Sequence, residues 1–350
     1  NRNNSMDNFF QVILLLILVI VIAVIYRQLI HQYPSSIFMG GADLKRNKYS
    51  ANDISENTLK IPKHDKNNIV FVLFHGFGSS SFIWQYEVES KTVKKHDFLG
   101  NLKKLGNIFT FDLIHFNIDY YFVHNDPKER KKWQKIYDKY KVHSNNIDFT
   151  LEDLNYDVIC KNVYQNVRQK YPHQKLIPIG HSYGAGLAHE FSKIYSKECL
   201  FMVSLDGIPL SEDDALESYK YESKYKKMVE KYFNNNENLQ KSIYKIKTSK
   251  NPNKEIDKVM NMIGYYSSVY RIKNVTSKLY VPTLFFKQTS KKNRIWKSMM
   301  IKESEIIKKN NPTSLYKYIW FVDIPHALWY DQKASDDIIK NISDVICSDN

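Results

Sequence analysis

Ser182 lies between glycines in Gly180-His181-Ser182-Tyr183-Gly184, a spacing suited to nucleophilic chemistry. A hydroxyl does this work when a sharp turn lifts it clear of its neighbours, and glycine accommodates the tight packing and unusual dihedrals of such a turn. The pentapeptide follows the apolar run Leu176-Ile177-Pro178-Ile179 and precedes Leu187, Phe191, Ile194 and Tyr195 at helical spacing. This strand–turn–helix setting sets it apart from a chance match. It brings the Tyr183 amide and a helix N-terminus to where negative charge would develop on a substrate. A second stretch, His75-Gly76-Phe77-Gly78, closes another apolar run. Its glycines let the main chain turn inward, which makes the Phe77 amide a second donor to the same charge. His75 reads as a prop that holds this loop by hydrogen bonding rather than as a catalytic group.

The elements that must position these residues are legible as hydrophobic patterns. Ile69–Phe74, Cys199–Leu205, Val281–Lys287 and Tyr316–Val322 are short, nearly continuous apolar runs, as expected of strands buried on both faces of a parallel sheet. Ile108–Asp112 is a further strand. Thr150–Tyr171 reads as an amphipathic helix that opens on a capping-box-like Thr150-Leu151-Glu152-Asp153 and closes at Pro172. Further helices are expected at Ile295–Lys309 and from Ser335 to Ile346. Pro178 falls inside the strand that leads to Ser182, where it removes a ladder hydrogen bond, so a local bulge is expected there.

The serine turn, the HGFG loop and a histidine after the last strand, His326, occur in the order and on the elements that resemble the α/β-hydrolase superfamily, from about residue 60 to 350. The resemblance implies a mostly parallel central sheet flanked by helices. It implies Ser182 as nucleophile, His326 as general base, and the Phe77 and Tyr183 amides as the oxyanion hole. Elementary chemistry agrees: a serine hydroxyl is a poor nucleophile until an imidazole takes its proton, and the imidazole needs an acid to fix its tautomer. Many members place that acid after the strand equivalent to Val281–Lys287, but here the loop Gln288–Asn293 holds no carboxylate. Asp206, at the end of the preceding strand, matches an alternative location used by some lipase-like members. Asp323 is the substitute, three residues before the histidine and awkwardly placed for the geometry.

The rest of the chain frames this core. The organisation expected is an N-terminal membrane anchor in residues 1–30, a linker in 31–60, the first part of the core in 61–210, a helical cap in 211–278 and the second part of the core in 279–350. Phe9–Tyr26 is uncharged and almost wholly apolar, long enough as a helix to cross a hydrocarbon layer of about 30 Å. It reads as a signal anchor rather than a cleaved signal peptide, with Arg27, Lys45, Arg46 and Lys48 biasing the following domain toward the cytoplasmic side. Residues 211–278, rich in Lys, Tyr, Glu and Asn, have helical periodicity and are expected to cover the serine.

The net charge of +14, from 51 Lys and Arg against 37 Asp and Glu, favours anionic surfaces such as membrane lipid. No zinc-finger spacing or phosphate-binding glycine loop accompanies it, so no nucleic-acid partner is expected. The basic stretch Pro127–Lys135 reads as a solvated surface helix or as a lipid-headgroup contact. The three cysteines, Cys160, Cys199 and Cys347, are widely spaced and without metal-ligand spacing, which implies reduced thiols and neither a disulfide framework nor a metal. No cofactor is implied. The functional expectation is a serine hydrolase of esterase or lipase type acting on a small-molecule or lipid ester or thioester. The alternative is an inactive hydrolase-like protein that binds a partner at a membrane.

Overall fold

Strand β2 (Ile69–Phe74) is buried along its whole length, and the two sides of its pleat enter different hydrophobic clusters. Val70, Val72 and Phe74 pack into one, Ile69, Phe71 and Leu73 into the other. A strand covered on both faces has no polar side to alternate with, which is why its sequence is a continuous apolar run. The computed structural model describes residues 51–53, 65–85, 97–116, 148–207, 226–227, 229–273, 278–289, 305–311 and 316–347. The membrane-anchor stretch Phe9–Tyr26, the basic stretch Pro127–Lys135 and residues 211–225 of the cap lie outside them, and of the linker expected at 31–60 only residues 51–53 are described, as a strand that joins the sheet. Among the described residues no helix is long and apolar enough to cross a membrane.

The described strands are β1 (Ala51–Asp53), β2, β3 (Asn107–Thr110), β4 (Lys175–His181), β5 (Met202–Leu205), β6 (Thr283–Thr289) and β7 (Tyr316–Val322). They form one sheet in the order β1-β7-β6-β5-β4-β2-β3, parallel throughout except for the antiparallel β1–β7 pair. On one face lie α2 (Tyr156–Lys170) and α3 (Tyr183–Ile194), which contribute Ile159, Val163, Val167, Leu187, Ala188 and Phe191 to the core. On the other lie α1 (Phe98–Lys103) and α6 (Gln332–Cys347), through Phe98, Leu102, Ile338 and Ile342. The architecture is therefore three layers with the sheet in the middle.

Pro178 is tolerated in the middle of this sheet for a reason visible in the register. Toward β2 the ladder is unbroken, from Ile69 opposite Lys175 to Phe74 opposite Gly180. Toward β5 it is not: Leu176 bridges Cys199, but Ile179 pairs with Val203, three residues along β4 against four along its neighbour. Leu176 N and Ser182 N both donate toward that side, to Glu198 O (3.0 Å) and Leu205 O (3.1 Å). By the alternation of a parallel strand, the nitrogen of Pro178 faces the same way, into the slip. The missing N–H coincides with the place where β5 carries an extra residue.

Several boundaries differ from the sequence reading. The helix expected from Thr150 begins at Tyr156, capped by Asn155, whose side chain accepts from Asp157 N (3.0 Å). Thr150 and Asp153 do bond, at 2.8 and 2.9 Å, but around a separate single turn at Glu152–Leu154. The strand expected at Ile108–Asp112 is shifted to Asn107–Thr110. The last helix starts at Gln332 because Asp331 Oδ1 accepts from Ala334 N (2.9 Å) and serves as its cap. Of the helix expected at 295–309, the described residues hold only a helical stretch at 305–310.

Between β5 and β6 come α4 (Asn236–Thr248) and α5 (Asn253–Lys273). Leu239, Ile243 and Ile246 of α4 and Ile256, Val259, Met262 and Ile263 of α5 join the same cluster as Phe149 and Leu154. Polar contacts fix this docking. Asn236 Oδ1 accepts from Leu151 N (2.8 Å), Asn236 Nδ2 donates to Glu152 Oε2 (2.9 Å), and Gln240 Nε2 donates to Phe149 O (2.8 Å).

Candidate active site

Strand β4 ends at His181 and α3 begins at Tyr183, so Ser182 alone makes the turn. It does so at φ 53°, ψ −118°, a left-handed conformation that a residue with a Cβ adopts only under constraint. The constraint is the packing of the helix start against the strands. A Cβ on Gly180 would lie 2.3 Å from Gly184 O, and one on Gly184 would lie 2.2 Å from Phe74 O. Both flanking glycines are thus required by contact with main-chain oxygens, which cannot move aside. Ser182 itself is partly exposed at the C-terminal edge of the sheet, where α/β folds place their sites.

The other two ends of strands that converge here carry Asp206 and His326. Asp206 follows β5 at φ 43°, with its amide bonded to Phe286 O (2.6 Å) and its Oδ1 accepting from Gln288 N (3.1 Å). Its Oδ2 meets His326 Nδ1. β5 and β7 are not neighbours, since β6 lies between them, so the carboxylate reaches across the end of β6. The histidine side chain is 26% exposed and the aspartate side chain 10%. Asp323 forms the positive-φ turn at the end of β7 (φ 58°), and the carboxylate on His326 Nδ1 is that of Asp206.

His181 ties this pair to the serine turn. Its ring lies 4.6 Å from the His326 ring and 4.8 Å from that of Trp329, and its Nε2 donates to the main-chain oxygen of His326 (3.2 Å). That bond fixes the tautomer, which leaves Nδ1 as a buried acceptor without a partner. Burial, reinforced by His326, pushes the His181 pKa well down, so the ring is neutral.

The glycine loop forms the third side. A Cβ on Gly76 would come within 3.0 Å of His181 Nδ1 and 3.3 Å of Ser182 Cβ, so glycine eases this close approach of the loop. Phe77 follows, its ring 4.8 Å from Phe116 and 6.2 Å from Tyr183. His75 is wholly buried; Nε2 accepts from Leu113 N (2.9 Å) and Nδ1 donates to Gly76 O (3.0 Å). Burial holds it neutral by lowering its pKa, and it staples the loop after β2 to the loop after β3.

The sequence reading named Ser182, His326, Asp206, Phe77 and Tyr183; the first four lie on strand ends or loops at this edge of the sheet, and Tyr183 is the first residue of α3. It did not single out His181, although its place beside Ser182 was a signal, or Lys287, buried at the end of β6. A cavity of about 680 Å³ runs between β3 and α2, lined by Phe109, Phe111, Ile159, Val163 and His115 among others. Ser182, Asp206 and His326 are not among its walls. Cys160, Cys199 and Cys347 are free thiols, the first two buried. Among the described residues no group of three or more His, Cys, Asp or Glu is gathered in a way that could hold a metal ion.

Searches of protein-family models and of curated protein sequences return no match. Among solved structures, similar chains include MenH from S. aureus (13% identity, 85% of this chain and 99% of that one, TM-score 0.45). A probable hydrolytic enzyme from Pseudomonas aeruginosa PAO1 is similar at 12% identity over 85% and 94% of the two chains, with TM-score 0.44. An esterase from a marine microorganism is similar at 13% identity over 86% and 100%, with TM-score 0.43. These are likenesses of α/β-hydrolase structures at low identity, and the assignment rests on this chain's own strands. With parallel neighbours β3-β2-β4-β5-β6-β7, a serine turn after the central strand and a histidine beyond the last one, the chain has the α/β-hydrolase fold.

Proposed function

We propose that the chain is a serine hydrolase that cleaves a carboxylic ester or thioester through an acyl-enzyme on Ser182. The observation that carries the reading is His326, held at Nδ1 by Asp206 and through its main chain by His181, the residue next to Ser182. With Nδ1–H engaged by a carboxylate, Nε2 is the basic nitrogen. Ser182 Oγ attacks the acyl carbon as its proton passes to Nε2, and Asp206 stabilises the imidazolium. The Phe77 and Tyr183 amides donate to the oxyanion. The departing alcohol or thiol takes the proton from His326, and a water deprotonated by the same nitrogen then releases the acid and restores Ser182.

An ester or thioester is favoured over a peptide by the family resemblance, and a lipid-derived acyl group over a polar one by the apolar stretch Phe9–Tyr26 and the net charge of +14. Both suit a protein held at an anionic membrane surface. The alternative of an inactive binding protein drew its support from the missing carboxylate after β6, and that support weakens with Asp206 beside His326.

The test is labelling with a fluorophosphonate probe of a chain lacking residues 1–44, beside Ser182→Ala and His326→Ala. Labelling of the parent that is lost in both variants is the expected result. A folded parent that does not label turns the reading toward binding.

A further inference from the structure

Lys287 is a lysine that a buried strand has no ordinary reason to contain. It is 3% exposed, near the end of β6, between Phe286 and Gln288. Burying an ammonium is costly unless its donors are satisfied, and an apolar residue would fill a strand position without that cost. Its Nζ donates to Gly207 O, the residue after Asp206. The turn it grips is under constraint from every side. Asp206 is at φ 43°, its amide donates to Phe286 O, and its Oδ1 accepts from Gln288 N. On the opposite side Gly207 lies hard against α3: a Cβ there would be 2.3 Å from Ala185 Cβ and 2.6 Å from Ser204 Oγ. Three consecutive residues of β6, Phe286, Lys287 and Gln288, therefore hold the two residues that aim a carboxylate across β6 at His326.

We infer that Lys287 is a positioning residue for the proposed reaction. Its ammonium, bonded to Gly207 O, holds the Asp206–Gly207 turn in the strained conformation that sets Asp206 Oδ2 on His326 Nδ1. The inference deepens the serine-hydrolase reading and rests on it for its kinetic consequences. A sheet that places the acid after β6 needs no such reach. One that places it after β5 must hold the turn forward, and the buried lysine supplies a charged donor on a stem long enough to do so. Lys287 acts through Asp206.

The test is a double-variant cycle on ester hydrolysis with Lys287→Met, Asp206→Asn and the two combined, with Lys287→Arg as the conservative replacement. Lys287→Met removes the donor and keeps an apolar stem of similar length. A displaced carboxylate costs about 100-fold in kcat with little change in KM, since misplacement by about 1 Å can cost that much. In the Asp206→Asn background the same substitution is expected to cost less than threefold, because the group it positions is already gone. Lys287→Arg, which keeps a charged donor, is expected to recover at least tenfold of the loss where it folds. Parent-like kcat in a folded Lys287→Met chain overturns the inference. So do losses that multiply in the double variant, which would mean Lys287 acts independently of Asp206. If the parent does not react with a fluorophosphonate, the serine reading fails instead. The inference is then decided by the far-downfield proton resonance of an imidazole N–H held by a carboxylate. Its presence in the parent and absence in Lys287→Met supports the inference, and its persistence in Lys287→Met overturns it.

Discussion

His181 Nε2 donates to the main-chain oxygen of His326 at 3.2 Å, so the residue before the serine holds the loop that carries the histidine. The same ring leaves Nδ1 buried and without a partner. Replacing it tests both consequences. His181→Leu loses one hydrogen bond, worth about 1 kcal/mol, and removes an unsatisfied nitrogen that costs about 1–3 kcal/mol. Stability is therefore expected to stay close to that of the parent, while probe labelling of Ser182 slows by roughly 10- to 100-fold as His326 loses its anchor. Urea unfolding and labelling kinetics on the same samples separate the two. A variant that labels at the parental rate shows that the loop holds its place without His181.

Ser182 stands at φ 53°, and strain of this kind costs on the order of 1–3 kcal/mol. Glycine occupies that region freely. Ser182→Gly is thus expected to abolish probe labelling and at the same time raise the stability of the fold by about 1 kcal/mol, less what glycine adds to the entropy of the unfolded chain. Ser182→Ala keeps the Cβ and the strain, and is expected to lose labelling with no such gain. Gly184→Ala points the other way: its Cβ would fall 2.2 Å from Phe74 O, so expression of folded protein should collapse. Equal melting temperatures for the Gly and Ala variants at 182 would show that the turn stores no strain.

Buried histidines give the fold an acid limit. His115 is pushed down to about 3 by burial, with His75 adding to the effect, and His181 well below its ordinary value by burial and then His326. Burial lowers His75 and His189 as well. A histidine that stays neutral when folded takes up a proton near pH 6.5 when unfolded, so the unfolded chain binds more protons and stability falls with pH below that point. A group held as low as His115 costs about 2 kcal/mol between pH 6.5 and 5. That is a sizeable part of the margin of a typical domain, about 5–15 kcal/mol. Urea midpoints measured from pH 7 to 5 are expected to fall steeply. His115→Phe is expected to reduce the slope by about 1.4 kcal/mol per pH unit. Parallel slopes for parent and variant would mean that His115 is protonated in the fold.

What could be seen in advance followed from how local the cause was. The runs Ile69–Phe74 and Tyr316–Val322 gave their strands to the residue, because both faces of an interior strand are apolar whatever its neighbours are. Ser182, Phe77 and Tyr183 were visible as contiguous motifs. The start of α2 was not, because Thr150 and Asp153 bond around an isolated turn, Glu152–Leu154, that comes just before the helix proper. Asp206 and His326 are 120 residues apart, and their meeting depends on β6 lying between β5 and β7, which no short stretch encodes. Lys287 was only the last residue of the run Val281–Lys287, and the strained turn beside it, which its side chain meets, is remote in sequence.

Asn236 offers a test of how the cap is held. Its side chain satisfies Leu151 N–H through Oδ1 and reaches Glu152 through Nδ2, at the first residue of α4. Glu152 is held below the usual carboxylate range chiefly by that second bond. Asn236→Ala leaves a part-buried amide without its acceptor, a loss of about 1–3 kcal/mol. The apolar contacts of Leu239, Ile243 and Ile246 remain, so the helix should stay folded while its grip on residues 148–154 loosens. Hydrogen exchange is expected to quicken at Leu151 and through α4 by roughly 10-fold or more, with β2 and β4 unchanged. Uniform loss of protection across the sheet would instead mean that cap and core unfold as one unit. Asn236→Asp separates the two bonds further: it keeps the acceptor for Leu151 N–H and sets like charges against Glu152. Its effect on exchange should therefore be relieved by salt, whereas that of Asn236→Ala should not.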